Sequence, residues 1–463
     1  MIDLFSIPIF PLGELAVPEP ASEIRPMLHL AIPIVLGEIG WMSMGIVDTM
    51  MVGRLPNSAQ AIGGISLGHM MFYVVAIFGT GIMLGLDTLV SQSFGAGEIE
   101  DCHRSLVNGV YLTLVLSPIS IVVALLIPAT VSFLHISPDL MGIAVPYLRS
   151  LTWSIVPLLL FFVFRRYLQA MNHVWPVMFA LVSANLVNIF GNWVLIYGHL
   201  GIAPMGTVGS SWATVISRAY MAGLLGLAIF YYDHRHQTGL RDASPRPSMA
   251  RIRDLLSLGF PAATQLGVEV AVFSAATALV AKLGAIPLAS HEIALNTASF
   301  TYMVPLGISS AAAVRVGQGR GRGDVPASNR SGWTAIALGA SFMSFMALAF
   351  WTIPQWIVRL YTPDPVVIRA ASKLLVVAAF FQLFDGIQTV TTGALRGTGD
   401  TRTPMFCHLV GYWVVGLPLG YYLCFDRGYG AAGIWGGLCS ALILIGIVML
   451  SAWWFKTRTP VTP

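Results

Sequence analysis

The chain has 463 residues, 56% of them hydrophobic and 10% charged, with a formal net charge of +4 and a mean hydropathy of +0.76. A soluble domain carries about a quarter charged residues and about half apolar ones. The composition therefore excludes an ordinary cytosolic enzyme and points to a chain that crosses a bilayer repeatedly, where charge is costly and hence rare. A net charge of +4 marks no nucleic-acid surface and is better explained by a loop bias described below.

Residues 1–26 combine Asp3, Glu14, Glu19 and Glu23 with several prolines. They lack the basic start of a signal peptide, so an uncleaved cytoplasmic or interfacial arm is expected. A helix needs about 20 apolar residues to cross about 30 Å of hydrocarbon. Twelve such runs follow, at 27–52, 62–92, 107–134, 143–169, 174–197, 207–232, 252–280, 288–316, 333–359, 366–394, 402–424 and 430–455. They lack the alternation of barrel strands, and open sheets cannot cross lipid, so the expectation is an all-α polytopic membrane protein. Residues 233–250 form a polar, proline-broken linker between a first six-helix bundle, 27–232, and a second, 251–455, leaving 456–463 as a tail.

The two halves repeat. Pro33 and Pro261, Leu55 and Leu283, and Pro176 and Pro404 are each 228 positions apart, and Arg104 and Arg330 are 226 apart. Six spans per half is an even number, so the halves are parallel and related by a pseudo-twofold along the membrane normal. With both termini inside, 17 of the 25 Lys and Arg fall on inner segments and seven on outer ones, with Arg218 left inside a span. Positive-inside insertion then places both termini in the cytoplasm. A repeat around a midplane site is the pattern of a secondary transporter.

Soluble-enzyme chemistry finds no support. There is no G-x-x-x-x-G-K-[ST], and none of the three lysines follows a glycine, so no ATP motor is built into the chain. The glycine-rich run from Gly317 to Gly323 has no strand before it and repeats Phe94–Gly97, so it reads as a tight inner loop. Asn329-Arg330-Ser331 matches a glycosylation site but falls on the inner side. Cys102, Cys407, Cys424 and Cys439 have neither metal nor redox spacing and read as free thiols. No cofactor is expected.

The ionisable residues inside spans carry more information. Each costs about 2.5–3.5 kcal/mol at a helix centre and so requires a partner or a function. They are Glu38, Asp48 and Asp87 in the first half, and Glu269, Glu292 and Asp385 in the second, with His291 beside Glu292. No matching supply of buried cations is evident, and carboxylates in a water-lined cavity bind protons or Na+. Asp48 and Asp87 lie near span ends, where a cap or loop contact is an alternative; Glu292 suits a rim, and Glu38 a polar neighbour. Glu269 and Asp385 lie far from span ends and, by the 228-residue repeat, face Trp41 and Pro157, so neither is mirrored in the first half. Asn188 and Asn192 share one face of the fifth span, where they suit either a cation or a helix bridge, and Thr214 can add a hydroxyl. Pro33 and Pro261 each remove a backbone hydrogen bond and permit bending.

Val47-Asp48-Thr49-Met50-Met51-Val52-Gly53, His291-Glu292-Ile293-Ala294-Leu295-Asn296, Val314-Arg315-Val316-Gly317-Gln318 and Gly393-Ala394-Leu395-Arg396-Gly397 resemble the signatures of the multidrug and toxic compound extrusion (MATE) family. The resemblance covers roughly residues 25–455. It implies two six-helix bundles around a central cleft, exporting organic cations or amphiphilic drugs against Na+ or H+ by alternating access. In the NorM-like branch the coupling acids match Glu269 and Asp385, with Glu292 close by. In the other prokaryotic branch a first-bundle cation site matches Asp48, Asn188, Asn192 and Thr214. Glu38, Trp41 and Phe381 fall on the implied substrate cleft, Pro33 and Pro261 on the bending positions, and a Na+ ion, where one is used, on the acids. Four positions depart from the pattern. Gln is common at Glu292, an aromatic hydroxyl at Phe381, a carboxylate at Asn192 and Gln at Trp41. The resemblance further implies small-molecule cationic or amphiphilic substrates, lipid contact, no nucleic acid, a monomer, and a prokaryotic cytoplasmic (inner) membrane. A flippase for lipid-linked precursors or polysaccharide would share the repeat but favour a cationic cleft. A major-facilitator uniporter would carry a charged loop where Gly95–Asp101 stands, and a receptor or scaffold would not need acids in both halves.

Overall fold

A computed structural model describes residues 23–131, 137–240 and 246–458. Most of the expected arm, part of the linker and the end of the tail lie outside these residues. Twelve spans run α1 Ile24–Val52, α2 Ser58–Ala96, α3 Ile99–Val131, α4 Pro138–Ala170, α5 Val174–Tyr197, α6 Thr207–His236, α7 Met249–Ala281, α8 Ala285–Gly321, α9 Val325–Thr352, α10 Pro365–Gly397, α11 Arg402–Asp426 and α12 Ala431–Arg458. Ten are individually long and apolar enough to cross a membrane, and α4 is an eleventh that bends by 50° between Thr152 and Ile155. The twelfth, α8, is less apolar but has 37 residues, about 55 Å at 1.5 Å per residue. A separate short helix, Pro354–Arg359, follows α9.

Two expectations are corrected. The glycine-rich segment is not a loop, because α8 continues through Gly321 and only Arg322–Asp324 turns, with Gly323 at φ +73°. Its glycines bring the helix backbone against α2, where a methyl on Gly317 or Gly321 would strike Ser91 or Gln92. The third span also starts earlier than its apolar run, at Ile99, because a charged turn with Glu100, Asp101 and Arg104 continues the helix ahead of it. Pro33 and Pro261 sit inside unbroken α1 and α7. The irregular spans are others: α2 breaks at Met83–Leu84, α4 bends, and α11 is π-helical over Leu409–Gly416 and Tyr422–Asp426.

Packing repeats between the halves. Within the first half α1 packs on α5, α5 on α6, α2 on α4, α4 on α6 and α3 on α4, and the equivalent pairs α7–α11, α11–α12, α8–α10, α10–α12 and α9–α10 recur in the second. Between halves, α1 meets α8 and α7 meets α2, as a twofold requires, and α2 meets α8 on the axis. Large apolar side chains such as Leu186, Phe190, Leu227 and Phe345 are exposed on the periphery, a surface suited to lipid rather than water.

Candidate ion and substrate sites

The first-bundle residues suggested by spacing meet in space. Asp48 on α1 accepts from Asn192 Nδ2 at 2.6 Å and from the Thr214 hydroxyl at 3.0 Å, and Asn192 also donates to Asn188 Oδ1 at 3.1 Å. All four are buried. The i, i+4 spacing of the two asparagines on α5 presents both amides to α1, while Asn192 Oδ1 and Asn188 Nδ2 remain without a partner.

Glu269 and Asp385 are also buried. One turn before Glu269 on the same face of α7, Gln265 donates to its carboxylate at 3.2 Å and lies 3.2 Å from His408 Nδ1 on α11. His408 Nδ1 is 3.5 Å from Glu269 Oε2, while its Nε2 is buried without a partner. Gln388 donates to Asp385 at 3.1 Å. Tyr302 on α8 and buried Tyr412 on α11 both feel the charges of Glu269 and Asp385. Asp385 also feels the charge of Glu269, so polar residues of α7, α8, α10 and α11 gather around the two acids. Among the described residues no Lys or Arg nitrogen lies within 4.0 Å of either acid. Tyr412 enters from the π-helical stretch of α11, a distortion frequent at functional sites.

The other acids are differently placed. The expected shortage of buried cations does not hold, because Arg165, Arg166, Arg218 and Arg396 are all buried. Arg165 forms an ion pair with Glu38. Asp87 lies between Arg166, at 3.4 Å, and Arg396, at 3.2 Å. Arg165 and Arg166 near the end of α4 and Arg396 at the end of α10, which count among the inner-segment charges of the sequence, each turn inward. Glu292 is part-exposed on α8. His291 is buried and fully bonded: Trp435 Nε1 donates to its Nδ1 at 2.9 Å, so the proton on Nε2 faces Thr277 Oγ1 at 2.8 Å. Phe381 is buried against Trp435 with ring centroids 5.9 Å apart, and half-buried Trp41 stacks on Phe161.

The seam between bundles is closed at the end bearing Ile24 and Arg458. There Glu23 binds Arg315 with both oxygens at 2.9 Å, Gln318 donates to Ala170 O at 2.9 Å, Gln92 to Gly397 O at 2.9 Å, and Arg166 to Ser310 at 3.3 Å. Arg251 pairs with Asp101 across the same end. Small residues complete the fit, with Gly85 lying against the Leu255 carbonyl and Gly81 against Ala263. Further along α2, His69 and Tyr73 stack at 6.0 Å and are exposed, and Tyr73 feels both Glu38 and Glu269. They form the wall of a cleft between the bundles. A separate depression of about 350 Å³ at the closed end, lined by Ser257, Asp400, Arg402 and Lys456, shares no lining residue with either acid cluster.

Gln265, His408, Tyr302 and Gln388 were not anticipated. Gln265 and Gln388 carried a legible signal, since they precede Glu269 by four residues and follow Asp385 by three. His408 and Tyr302 are on other helices and had none.

Comparison with known proteins agrees over most of the chain. The MatE family profile matches residues 33–194 and 261–422. The "Probable multidrug resistance protein NorM" of Mesorhizobium japonicum is 36% identical over 94% of this chain and 95% of that protein. The protein of the same name from Brucella suis is 32% identical over 92% of each. The crystal structure of the eukaryotic MATE transporter AtDTX14 superposes with a TM-score of 0.84 at 18% identity, covering 95% of this chain and 98% of that one.

Proposed function

This chain belongs to the MatE family of membrane transporters, and on that premise we propose that it exports cationic amphiphiles and drugs from the cell by antiport with Na+ or H+. The observation that carries this reading is the pair Glu269 and Asp385, two buried carboxylates with, among the described residues, only His408 as a basic neighbour within 4.0 Å. Such a pair is stable in low dielectric only when protonated, hydrated or cation-bound. A cation and a cationic substrate therefore compete for the same negative charge, and each favours the state the other has left.

The structure has its seam closed at the terminus-bearing end, which the loop charges assign to the cytoplasm. In this state the cation enters from outside and the substrate leaves. Loading of Glu269 and Asp385 then favours opening of the cytoplasmic side. The names of the NorM relatives support drugs as the cargo, and loosely polar walls such as His69 and Tyr73 suit varied shapes. A flippase reading needs a cationic cleft. Here Arg165, Arg166 and Arg396 are occupied by Glu38 and Asp87, which argues against it. The inner membrane is the proposed location, with the single chain as the transporting unit.

The test is efflux of a lipophilic cationic dye from vesicles holding the purified protein, with Na+ and pH gradients imposed separately. Efflux driven by one of the two gradients is expected. A lack of response to both would overturn the reading.

A further inference from the structure

We propose that Arg218 is a tethered counter-ion that occupies, in the first bundle, the electrostatic place a coupling cation takes in the second, so that the antiported cation loads on Glu269 and Asp385 alone. This rests on the antiport reading above and specifies which bundle carries its ion.

The first-bundle pocket looks at first like a cation site: a buried carboxylate, Asp48, with two asparagines and a threonine around it. A cation already stands beside it. Arg218 lies one turn beyond Thr214 on the same face of α6 and is 5% exposed. Its Nη1 donates to Ser154 Oγ at 2.6 Å, its guanidinium lies 4.8 Å from the Phe72 ring centroid and 5.9 Å from that of Trp41, and its Nε has no acceptor. Among the described residues no carboxylate is within 4.0 Å of it, yet Arg218 and Asp48 each feel the other's charge. A guanidinium stays charged in proteins. Asp48 is bonded to Thr214, one turn before Arg218 on the same face of α6, so it stands where it can counter the buried guanidinium, and the pair is neutral without any added ion.

The repeat shows that the fold does not require this arginine. Gly206 and Gly430, at φ 56° and 58°, each precede the first residue of α6 and α12. Aligning them sets Arg218 against Leu442, which is buried. The acids are distributed the other way, since Glu269 and Asp385 face Trp41 and Pro157 in the repeat. The Asp48 site holds an acid and an arginine; the site of Glu269 and Asp385 holds two acids. An added cation leaves the first pocket with uncompensated positive charge in low dielectric, but leaves the second still negative. The two sites are opposite in their demand for an ion.

The arginine has a further effect on shape. Ser154 stands in the break of α4 and donates its own hydroxyl hydrogen bond to Leu151 O at 2.6 Å, so Arg218 joins its charge to the bend of that span.

The test uses full-length protein in liposomes, with Arg218→Gln, Arg218→Lys and the double variant Asp48→Asn/Arg218→Gln. The readout is the number of cations moved per dye molecule, taken from the membrane potential at which net dye flux vanishes. Arg218→Gln should raise that number by about one, Arg218→Lys should keep the wild-type value, and the double variant should return to it. An unchanged ratio in folded Arg218→Gln, or a raised ratio that persists in the double variant, overturns the proposal. A thermal-unfolding cycle in detergent tests the same pairing without transport. Each single neutral variant should lower the melting temperature, and the double should recover most of the loss. Additive losses overturn the pairing. Wild-type protein that ignores both ion gradients would instead sink the antiport reading, while the unfolding cycle would still decide the role of Arg218.

Discussion

Replacing Arg396 by Gln should shift the protein from the state seen here toward one open at the terminus-bearing end. Asp87, 1% exposed on its side chain, is held by Arg166 of its own bundle at 3.4 Å and by Arg396 of the opposite bundle at 3.2 Å, both arginines also buried. Only the Arg396 arm crosses the seam, so only that arm is broken when the bundles part there. A hydrogen bond to a charged group contributes about 1.5–3 kcal/mol, and about 1.4 kcal/mol is tenfold in a population. The ratio of the two states should therefore change roughly 10- to 100-fold. Asp87→Asn should act differently. It strands two buried guanidinium groups, a change that costs about 3–5 kcal/mol when a buried pair is broken, and should appear as lost folding stability. The assay is the distance distribution between spin labels at exposed Pro56 and Lys282, on the far ends of the two bundles. The Gln variant should move weight toward the shorter distance. An unchanged distribution in folded protein would show that Arg396 does not hold the seam.

Glu269→Gln and Asp385→Asn should each abolish gradient-driven dye efflux while leaving expression near normal, because the amides keep size and lose charge; Glu292→Gln, at a part-exposed site, should be milder. Wild-type rates in both neutral variants would place coupling elsewhere. Gly85→Ala puts a methyl 2.8 Å from the Leu255 carbonyl and 3.2 Å from the Gly259 nitrogen. Overpacking of about 1–3 kcal/mol should shift the same spin-label distances as Arg396→Gln, and a distribution like wild type would contradict it. Cysteines introduced at Arg320 and at Pro56 should differ in labelling from outside intact cells, with only the latter reactive; equal reactivity would reverse the topology.

Twelve spans and their parallel repeat could be read from the chain because hydrophobic length and sequence offset are one-dimensional properties that lipid enforces directly. The first-bundle cluster was partly legible for the same reason. Asn188 and Asn192 share a helix face whatever that face meets, and a buried Asp48 then has donors within reach. What tertiary structure decided was pairing. Glu38 and Asp87 read as lone acids because Arg165 and Arg166 are 127 and 79 positions away from them, and arginines at a span end read equally well as topology signals. The segment after Val316 read as a loop because glycine disfavours an isolated helix. It is helical here because those same glycines let α8 close on α2. His408 joined Glu269 only through the packing of α11 on α7. Charge in a membrane is stable only in company, and hydropathy records how costly that charge is without recording which distant helix supplies its partner.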